Sequence, residues 1–200
     1  MTENERMLAG LLYDPFRAET PWSTAREAVK RFNDSEFWKN DDALRELKKI
    51  FAAVGEDVVL TPPFYCDHGS KITFGNHFYA NTGLTILDEN NVIFGDRVFL
   101  GPHVSIYTAG HPIDAAVRAT GLEYAKPVRI GNDVWIGGNV VINPGITIGD
   151  DVVIGSGSVV TRDIPSHSVA AGNPCRVIRR IEENDRAFWE TQLSEYMKIH

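Results

Sequence analysis

Residues 128–163 read VRIGND, VWIGGN, VVINPG, ITIGDD, VVIGSG and SVVTRD, which are consecutive blocks of one six-residue pattern. Nearly every block opens with an aliphatic residue, carries a second one two places later and continues with Gly or Asn. A short fixed period of this kind is typical of a parallel β-helix, in which each block forms a short strand and a turn and three blocks complete a triangular coil. The pattern therefore predicts a mainly β protein whose aliphatic side chains stack in layers along the axis of the coil.

The same pattern extends toward the N-terminus as far as Ile72, with two extra residues within Asp88–Asn91 that a turn can absorb. It resumes in phase after residues 108–126, which themselves lack the repeat. We predict a β-helix from about Val58 to about Ile178, with residues 108–126 extruded as a loop. Long loops inside compact domains are often functional, so this loop is the first place to search for a site.

The composition is that of an ordinary globular protein. The 200 residues are 43% hydrophobic and 24% charged, which suits one domain with a substantial core. The acidic, polar start of the chain lacks the features of a signal peptide, and two distant cysteines indicate reduced thiols, so we expect a cytoplasmic protein. A net charge of −7 argues against nucleic acid as a partner.

The two ends of the chain have helical rather than six-residue spacing. We divide the chain into an N-terminal helical segment (1–55), the β-helix (56–180) and a C-terminal helix (181–200), all within one structural domain. The helices are expected to cover the open ends of the coil, which otherwise present unpaired strand edges. Their predicted spans are Glu3–Leu12, Ser23–Phe32 with Ser23 as N-cap, Asn40–Val54 ended by Gly55, and about Asp185–Met197.

His111 lies at the start of the extruded loop, in the sequence Thr108–Pro112 (TAGHP). Gly110 permits unusual backbone angles and Pro112 fixes the next residue, so the imidazole is held on a stiff turn. With an ordinary pKa near ~6.5, such a group can remove a proton from a hydroxyl at neutral pH. The alternative is a histidine that merely faces solvent. The histidine spacing does not favour a zinc site, so no metal is expected.

A basic cluster near the C-terminal end contrasts with the acidic protein as a whole. Four arginines and one acidic residue, Asp163, lie between Ser158 and Ile181. An anionic small molecule would bind there, although a solvated surface of no function has the same composition. The arginines are Arg162, Arg176, Arg179 and Arg180.

Several longer motifs resemble the maltose/galactoside O-acetyltransferase family of hexapeptide-repeat proteins, which includes the nodulation-factor acetyltransferases. The resemblance covers nearly the whole chain and implies a left-handed parallel β-helix, acetyl-CoA as acetyl donor, and a homotrimer with active sites in clefts between subunits. The motifs are Phe32–Asn33 (FN), Pro62–Gly69 (PPFYCDHG), Phe78–Asn81 (FYAN), Thr108–Pro112, Val134–Asp150 and Val169–Arg179 (VAAGNPCRVIR).

The resemblance also implies roles for the residues that would meet the acceptor. His111 matches the general base that deprotonates a sugar hydroxyl, which attacks the thioester directly, and Asn81 matches an asparagine near that hydroxyl. Alternatively, Asn81 is a turn residue of the coil, and both roles are compatible. The other matches to acceptor-binding positions are Asp14, Asp67, Glu89 and Glu123.

Two of the acceptor positions depart from the family pattern. The first is Glu89, which stands where the galactoside enzymes have Asp, whereas Glu123 resembles the maltose and nodulation branch more than the galactoside branch. Trp22 replaces an arginine that many relatives carry ten residues before the FN pair. An aromatic ring can stack on a sugar or simply pack, but it cannot make the hydrogen bonds of arginine.

For the donor, Trp135 matches a tryptophan that lines the pantetheine channel, and a packing contact with another subunit is the alternative. Gly138 and Ser156 match backbone contacts along the pantetheine arm. The positions that match the nucleotide end are Thr161, Arg162, Arg176 and Arg179, and the guanidinium fork suits phosphate.

We therefore predict a cytoplasmic, acetyl-CoA-dependent O-acetyltransferase acting on a small saccharide, maltose-like or glucose-like. An acceptor that is a non-sugar alcohol or an amine stays open. So do two other classes, a non-catalytic β-helix scaffold and a metal-dependent lyase.

Overall fold

The computed structural model describes residues 1–18, 22–36 and 39–199, and only the backbone of residues 22–24. The repeat region forms coils of three short strands each. The first coil contains β1 (Ala53–Val54), β2 (Val59–Leu60) and β3 (Phe64–Cys66), so the β-helix begins one strand before the predicted Val58. The next coils are β4 (Ile72–Phe74), β5 (Tyr79–Ala80), β6 (Leu84–Leu87); and β7 (Val92–Phe94), β8 (Phe99–Leu100), β9 (Ser105–Tyr107).

The coils continue in the same order after the loop. They contain β12 (Val128–Ile130), β13 (Val134–Ile136), β14 (Val141–Ile142); and β15 (Thr147–Ile148), β16 (Val152–Ile154), β17 (Val159–Val160). A further coil begins at Ile164, which bridges to Ile148, and leads into β18 (Ser168–Ala171). The predicted parallel β-helix is confirmed.

Equivalent strands of successive coils pair in parallel and form three sheets. The first sheet has the order β1-β4-β7-β12-β15, the second β2-β5-β8-β13-β16-β18, and the third β3-β6-β9-β14-β17. Hydrogen-bonded turn residues in adjacent coils are 20 residues apart early in the chain, 36 apart across the loop and 18 apart after it. The loop is therefore an insertion that leaves the register of the coil intact.

The two aliphatic positions of each block point into the coil. Val134 and Ile136 are fully buried, while Trp135 between them faces outward. Near the N-terminal end the layers are aromatic, with ring centroids of Phe74 4.6 Å from Phe78 and 5.3 Å from Phe94. This burial is the main source of stability, since each large side chain contributes about 1.5–3 kcal/mol.

A ladder of side chains explains the Gly-Asn and Gly-Asp pairs of the repeat. The Oδ1 atom of Asn132 accepts a hydrogen bond of 2.9 Å from the Asp96 backbone N–H, and that of Asp150 accepts one of 2.7 Å from Asn132. Glycine precedes these residues because a Cβ at Gly131, before Asn132, would lie 2.5 Å from Oδ1 of Asp150. The sequence repeat thus encodes the turn as well as the core.

Three helices precede the first coil: α1 (Glu3–Leu8), α2 (Trp22–Asn33) and α3 (Asp41–Lys48). The predicted spans were too long for α1 and α3, and β1 occupies the residues expected at the end of α3. Ser23 is the second residue of α2, so its prediction as N-cap was wrong. Phe32 and Leu47 are fully buried against the first coil, as predicted for helices that cover an open end.

Asn33 completes the cover over the first coil. Its Nδ2 donates to the carbonyl of Phe64 at 2.9 Å, and its Oδ1 accepts from the Phe64 N–H at 2.8 Å. The side-chain amide therefore pairs with the exposed edge of β3 as another strand would. This accounts for the FN pair in structural terms.

The extruded loop has secondary structure of its own, which the sequence did not predict. It contains β10 (Ala109–Gly110), the one-turn helix α4 (Ala115–Arg118) and β11 (Tyr124–Ala125). The two strands pair antiparallel. Asp114 caps α4 by accepting from the Val117 N–H at 2.9 Å.

The C-terminal segment differs from the prediction. After β18 the chain turns back as β19 (Arg176–Arg180), antiparallel to β18, and continues as α5 (Glu183–Met197). No residue of α5 is buried, and Trp189 is 67% exposed. The expectation that this helix covers the end of its own coil was wrong.

Candidate active site

The N-terminal segment is bound to the extruded loop. The backbones of Tyr13 and Glu123 form a bridge with N···O distances of 2.9 and 3.0 Å. Asn90, in the turn with the two extra residues, donates from Nδ2 to the carbonyls of Met7 and Ala125 at 3.2 and 3.1 Å. The insertion in the repeat thus holds the N-terminal segment and the loop together.

His111 lies beside this junction, directly after β10. Its Nδ1 lies 3.3 Å from the carbonyl oxygen of Leu122, and its Nε2 lies 3.8 Å from Oε1 of Glu123. Because a carbonyl only accepts, this contact favours the tautomer with hydrogen on Nδ1 and a free lone pair on Nε2. The imidazole is 53% exposed, so a substrate can reach it.

A pocket of about 200 Å³ opens next to Glu123. Three of the predicted acceptor-binding residues, Asp67, Glu89 and Glu123, line it together. Its other lining residues, which the sequence did not single out, are Met7, Tyr13, Pro15, Phe16, Ala18, Arg26 and His68.

Arg26 could have been found from the sequence. It lies four residues after Trp22 on α2, and residues at this spacing lie on the same face of a helix. Because Arg26 lines the pocket, a guanidinium is present there even though Trp22 replaces the family's arginine one turn earlier. The side chain of Trp22 lies outside the described part of the chain.

Carboxyl groups crowd the floor of the pocket. Burial raises the pKa of Glu89 to about 8, helped by the charge of Asp67 and by a hydrogen bond with it. Burial also raises the pKa of Asp88 to about 6, against the backbone N–H groups of Asp67 and His68 that donate to its Oδ1 at 3.0 and 2.9 Å. At neutral pH Glu89 consequently keeps its proton, so this carboxyl can both donate and accept hydrogen bonds.

Two nearby basic groups are also affected by burial. The pKa of His68 is lowered to about 4, first by burial and then by the charge of Lys71. Burial lowers the pKa of Lys71 as well, and its Nζ is buried without a hydrogen-bond partner. His68 is therefore neutral at pH 7 and unsuited to bind an anion.

Asp14 and Asn81 lie outside the residues that line the pocket. Asp14 accepts at Oδ1 from the Phe16 N–H at 3.0 Å and pairs at Oδ2 with Arg17 at 3.2 Å, so it stabilises a turn at the pocket's edge. Asn81 follows β5, and its Oδ1 accepts from the Thr82 N–H at 2.8 Å. Its amide nitrogen is left for another partner.

The predicted donor residues lie on the second sheet, in the turns after its strands and after β17 of the third sheet, and on β19. Trp135 is 56% exposed on the outer face of β13, between Phe99 and Val153 of the adjacent strands. Gly138 is in the turn after β13, and its carbonyl accepts from the Gly157 N–H at 2.9 Å. The exposed residues farther along are Ser156, Thr161 and Arg162.

The two remaining arginines are on β19, where both are exposed. Arg179 is already engaged, since its two Nη atoms lie 2.6 and 2.9 Å from the carboxylate of Asp185 on α5. Arg176 donates to the carbonyl of Cys175 at 2.7 Å. The sequence did not predict the ion pair of Arg179.

Residues 1–18, 22–36 and 39–199 contain no group of three or more His, Cys, Asp or Glu side chains arranged to hold a metal ion. Within the same ranges, none of the helices has the length and apolar character needed to cross a membrane.

Comparison with known proteins gives close matches over the whole chain. The family described as bacterial transferase hexapeptide (six repeats) matches residues 127–162. Galactoside O-acetyltransferase of Escherichia coli K12 is 44% identical over 191 residues, which cover 94% of this chain and 94% of the relative.

Two solved structures agree with this match. A maltose O-acetyltransferase from Clostridium difficile 630 is similar with a TM-score of 0.88 and 46% identity, over 92% of this chain and 99% of that one. A galactoside acetyltransferase in complex with coenzyme A is similar with a TM-score of 0.90 and 44% identity, over 93% and 94%.

The resemblance inferred from the motifs is thereby confirmed, as is the assignment to an enzyme class. Identity of this degree over nearly the full length of both chains leaves the coil, the loop and the N-terminal segment in common. The chain belongs to the galactoside and maltose O-acetyltransferases of the hexapeptide-repeat family.

Proposed function

We propose that this enzyme transfers an acetyl group from acetyl-CoA to a hydroxyl of a small saccharide, with His111 as general base. The observation that carries the proposal is the position of the His111 Nε2, 3.8 Å from the Glu123 carboxylate at the edge of the acidic pocket. The carboxylate stabilises the imidazolium that forms when Nε2 takes a proton.

The reaction needs no covalent intermediate on the protein. His111 Nε2 takes the proton of the acceptor hydroxyl, whose oxygen forms a bond to the thioester carbonyl carbon. The C–S bond then breaks, and the proton on Nε2 passes to the departing thiolate of coenzyme A. Asn81, with its free amide nitrogen, is proposed to bind the acceptor or the developing oxyanion.

The pocket suits a saccharide because its polar groups both accept and donate. The carboxylates accept from adjacent hydroxyls, while the protonated Glu89 and Arg26 donate to ring and hydroxyl oxygens. Phe16, which is 88% exposed at the pocket, offers a flat apolar surface to a sugar face. Asp14 would contribute at the rim. A non-sugar alcohol or an amine is the second class of acceptor.

Coenzyme A is proposed to lie along the outer face of the second sheet. Trp135 would contact the pantetheine arm, and the backbones at Gly138 and Ser156 would bond its amides. The nucleotide phosphates would lie at the arginine cluster, where guanidinium groups are exposed. The residues at this end are Thr161, Arg162, Arg176 and Arg179.

We further propose a homotrimer in the cytoplasm. The outer face of the second sheet carries exposed apolar side chains, including Phe99 and Trp135 at 49% and 56%, and α5 exposes more. Exposed apolar surfaces on the second sheet and on α5 indicate that both are buried against another copy of the chain. None of the predicted donor residues lines the acceptor pocket. A cleft between copies would bring the donor residues of one chain next to the acceptor pocket of another. Cys66 and Cys175 are free, as a reducing compartment allows.

The test is an acceptor screen with acetyl-CoA that monitors release of free thiol. Saccharides, simple alcohols and amines are compared at equal concentration, and the acetylated product is identified by mass spectrometry. The proposal expects the highest kcat/KM with a saccharide and an O-acetyl product. Preference for an amine with an N-acetyl product would assign the site to the second class of acceptor.

A further inference from the structure

Tyr13 connects the N-terminal segment to the proposed base, His111, through the carboxylate of Glu123. Its hydroxyl donates to Oε2 of Glu123 at 2.7 Å, while Oε1 of the same carboxylate lies 3.8 Å from Nε2 of His111. The three side chains therefore form a row from a buried phenol to an exposed imidazole.

The geometry at Glu123 leaves its carboxylate little freedom. Its backbone is fixed to that of Tyr13 by two hydrogen bonds, and one carboxylate oxygen is held by the phenol. The remaining oxygen is directed toward His111. Without the hydrogen bond from the phenol, the carboxylate would be held only through its backbone and would rotate toward solvent or toward the pocket.

Tyr13 is suited to act as a permanent donor. It is 1% exposed, packed with Met7 and Ala125 in a small apolar cluster. Burial, followed by the hydrogen bond to Glu123, raises the pKa of the phenol well above its usual range, so the hydroxyl keeps its proton at any working pH.

We propose that Tyr13 is a positioning residue for the acetyl transfer, because its hydroxyl holds the Glu123 carboxylate in the orientation that pairs with His111. This inference rests on the proposed function, in which His111 is the base. It gives Tyr13 a role in orienting the base, in addition to its packing with Met7 and Ala125.

Tyr13→Phe tests the inference, because it keeps the ring that packs with Met7 and removes only the hydrogen bond. We expect kcat to fall by about tenfold, as a charge-assisted hydrogen bond is lost, while the KM for acetyl-CoA stays within twofold. Tyr65→Phe on β3, where the side chain is half exposed and outside the pocket, is the matched control and should leave kcat unchanged.

A double-mutant cycle separates positioning from packing. In the background of Glu123→Gln, Tyr13→Phe should change kcat by less than twofold, since the carboxylate it positions is already gone. If the two effects multiply instead, Tyr13 does not act through Glu123 and the inference is overturned. Melting temperatures of all variants show whether a loss of kcat comes from unfolding, and Glu123→Gln alone must still lower kcat.

Failure of the inference about Tyr13 can be distinguished from failure of the proposed function. If His111→Ala is inactive but Tyr13→Phe keeps full kcat, the inference fails and the base assignment stands. If His111→Ala retains activity, the base assignment fails first. A raised KM for the acceptor with unchanged kcat in Tyr13→Phe would make Tyr13 a pocket-wall residue and would also overturn the positioning role.

Discussion

The side chains around the pocket combine several groups whose protonation depends on burial. Asp88, with a pKa of about 6, and Glu89, with a pKa of about 8, are both harder to ionise than exposed carboxyls. Both are next to Lys71, whose charge is disfavoured by the same burial. The pocket therefore keeps a proton that an open surface would lose, and this proton determines which groups can donate to an acceptor.

At this scale the first prediction concerns His111. His111→Ala should lower kcat by about 10²–10⁴, because a positioned general base contributes about this factor, and the acetyl-CoA KM should change little. The measurement is steady-state thiol release with the best acceptor at neutral pH. His77→Asn, in a turn of the coil, is the control and should retain full activity. A His111→Ala enzyme with more than about a tenth of the parent rate would remove His111 from the mechanism.

The second prediction concerns Glu89 and pH. Its folded-state pKa of about 8 exceeds the ordinary value of 4.5. The folded form keeps the proton while the unfolded chain releases it, so stability from this group is present below pH 4.5 and is lost as pH rises toward 8. Glu89→Gln has no ionisable group at this position, so its stability does not fall in this way as the pH rises.

We therefore expect the melting temperature of Glu89→Gln to rise relative to the parent between about pH 5 and pH 8.5. Thermal unfolding in matched buffers measures the difference, in which titrating groups that do not contact Glu89 cancel because both proteins contain them. Parallel curves across this range would show that Glu89 is ionised in the folded protein at neutral pH.

At the scale of the elements, the coil is stabilised by layers that repeat from strand to strand. On β4, Ile72 and Phe74 point inward and are fully or almost fully buried, while Thr73 points outward. Each layer contacts the layers above and below it. A cavity in one layer cannot collapse easily, because the turn ladders hold the spacing between coils.

The third prediction follows from this arrangement. Phe74→Ala should lower the free energy of unfolding by about 3–5 kcal/mol, since it removes a ring packed between Phe51, Phe78 and Phe94. Thr73→Ala, on the outer face of the same strand, should change it by less than about 1 kcal/mol. Urea denaturation of both variants makes the comparison, and equal losses would contradict the layered core.

At the scale of the whole molecule, apolar surface is distributed unevenly. The second sheet carries an outer row of apolar residues that pair across adjacent strands: Val59, Tyr79, Phe99, Trp135 and Val153. The first sheet instead presents Thr73, Ile93, Arg129 and Thr147. The difference distinguishes one face of the coil as the candidate contact between copies.

The fourth prediction concerns assembly. Sedimentation equilibrium at micromolar concentration should give a mass of three chains of 22.3 kDa. Phe99→Glu should shift the distribution toward single chains, because a charge would be buried in an apolar contact. Arg129→Glu on the first sheet is the control and should remain trimeric. A parent protein that sediments as a single chain would exclude an active site shared between copies.

The six-residue period by itself determined the coil, because each block contains its own core positions and turn. Val134, Ile136 and the Gly-Asn and Gly-Asp pairs needed no distant information to be assigned. The family motifs likewise pointed to Asp67, Glu89 and Glu123, which line one pocket. The coil could be predicted because the interactions of a repeat are between equivalent positions in neighbouring coils, whereas the roles of the three pocket residues stay predictions from the resemblance.

Only the tertiary structure decided what lies between elements far apart in the chain. Tyr13 and Glu123 are 110 residues apart, and no local pattern marks their hydrogen bond. The ion pair of Arg179 with Asp185 and the exposure of α5 likewise depend on where the chain turns back after β18. Side-chain partners across such distances are set by the path of the backbone, which the repeat period does not specify.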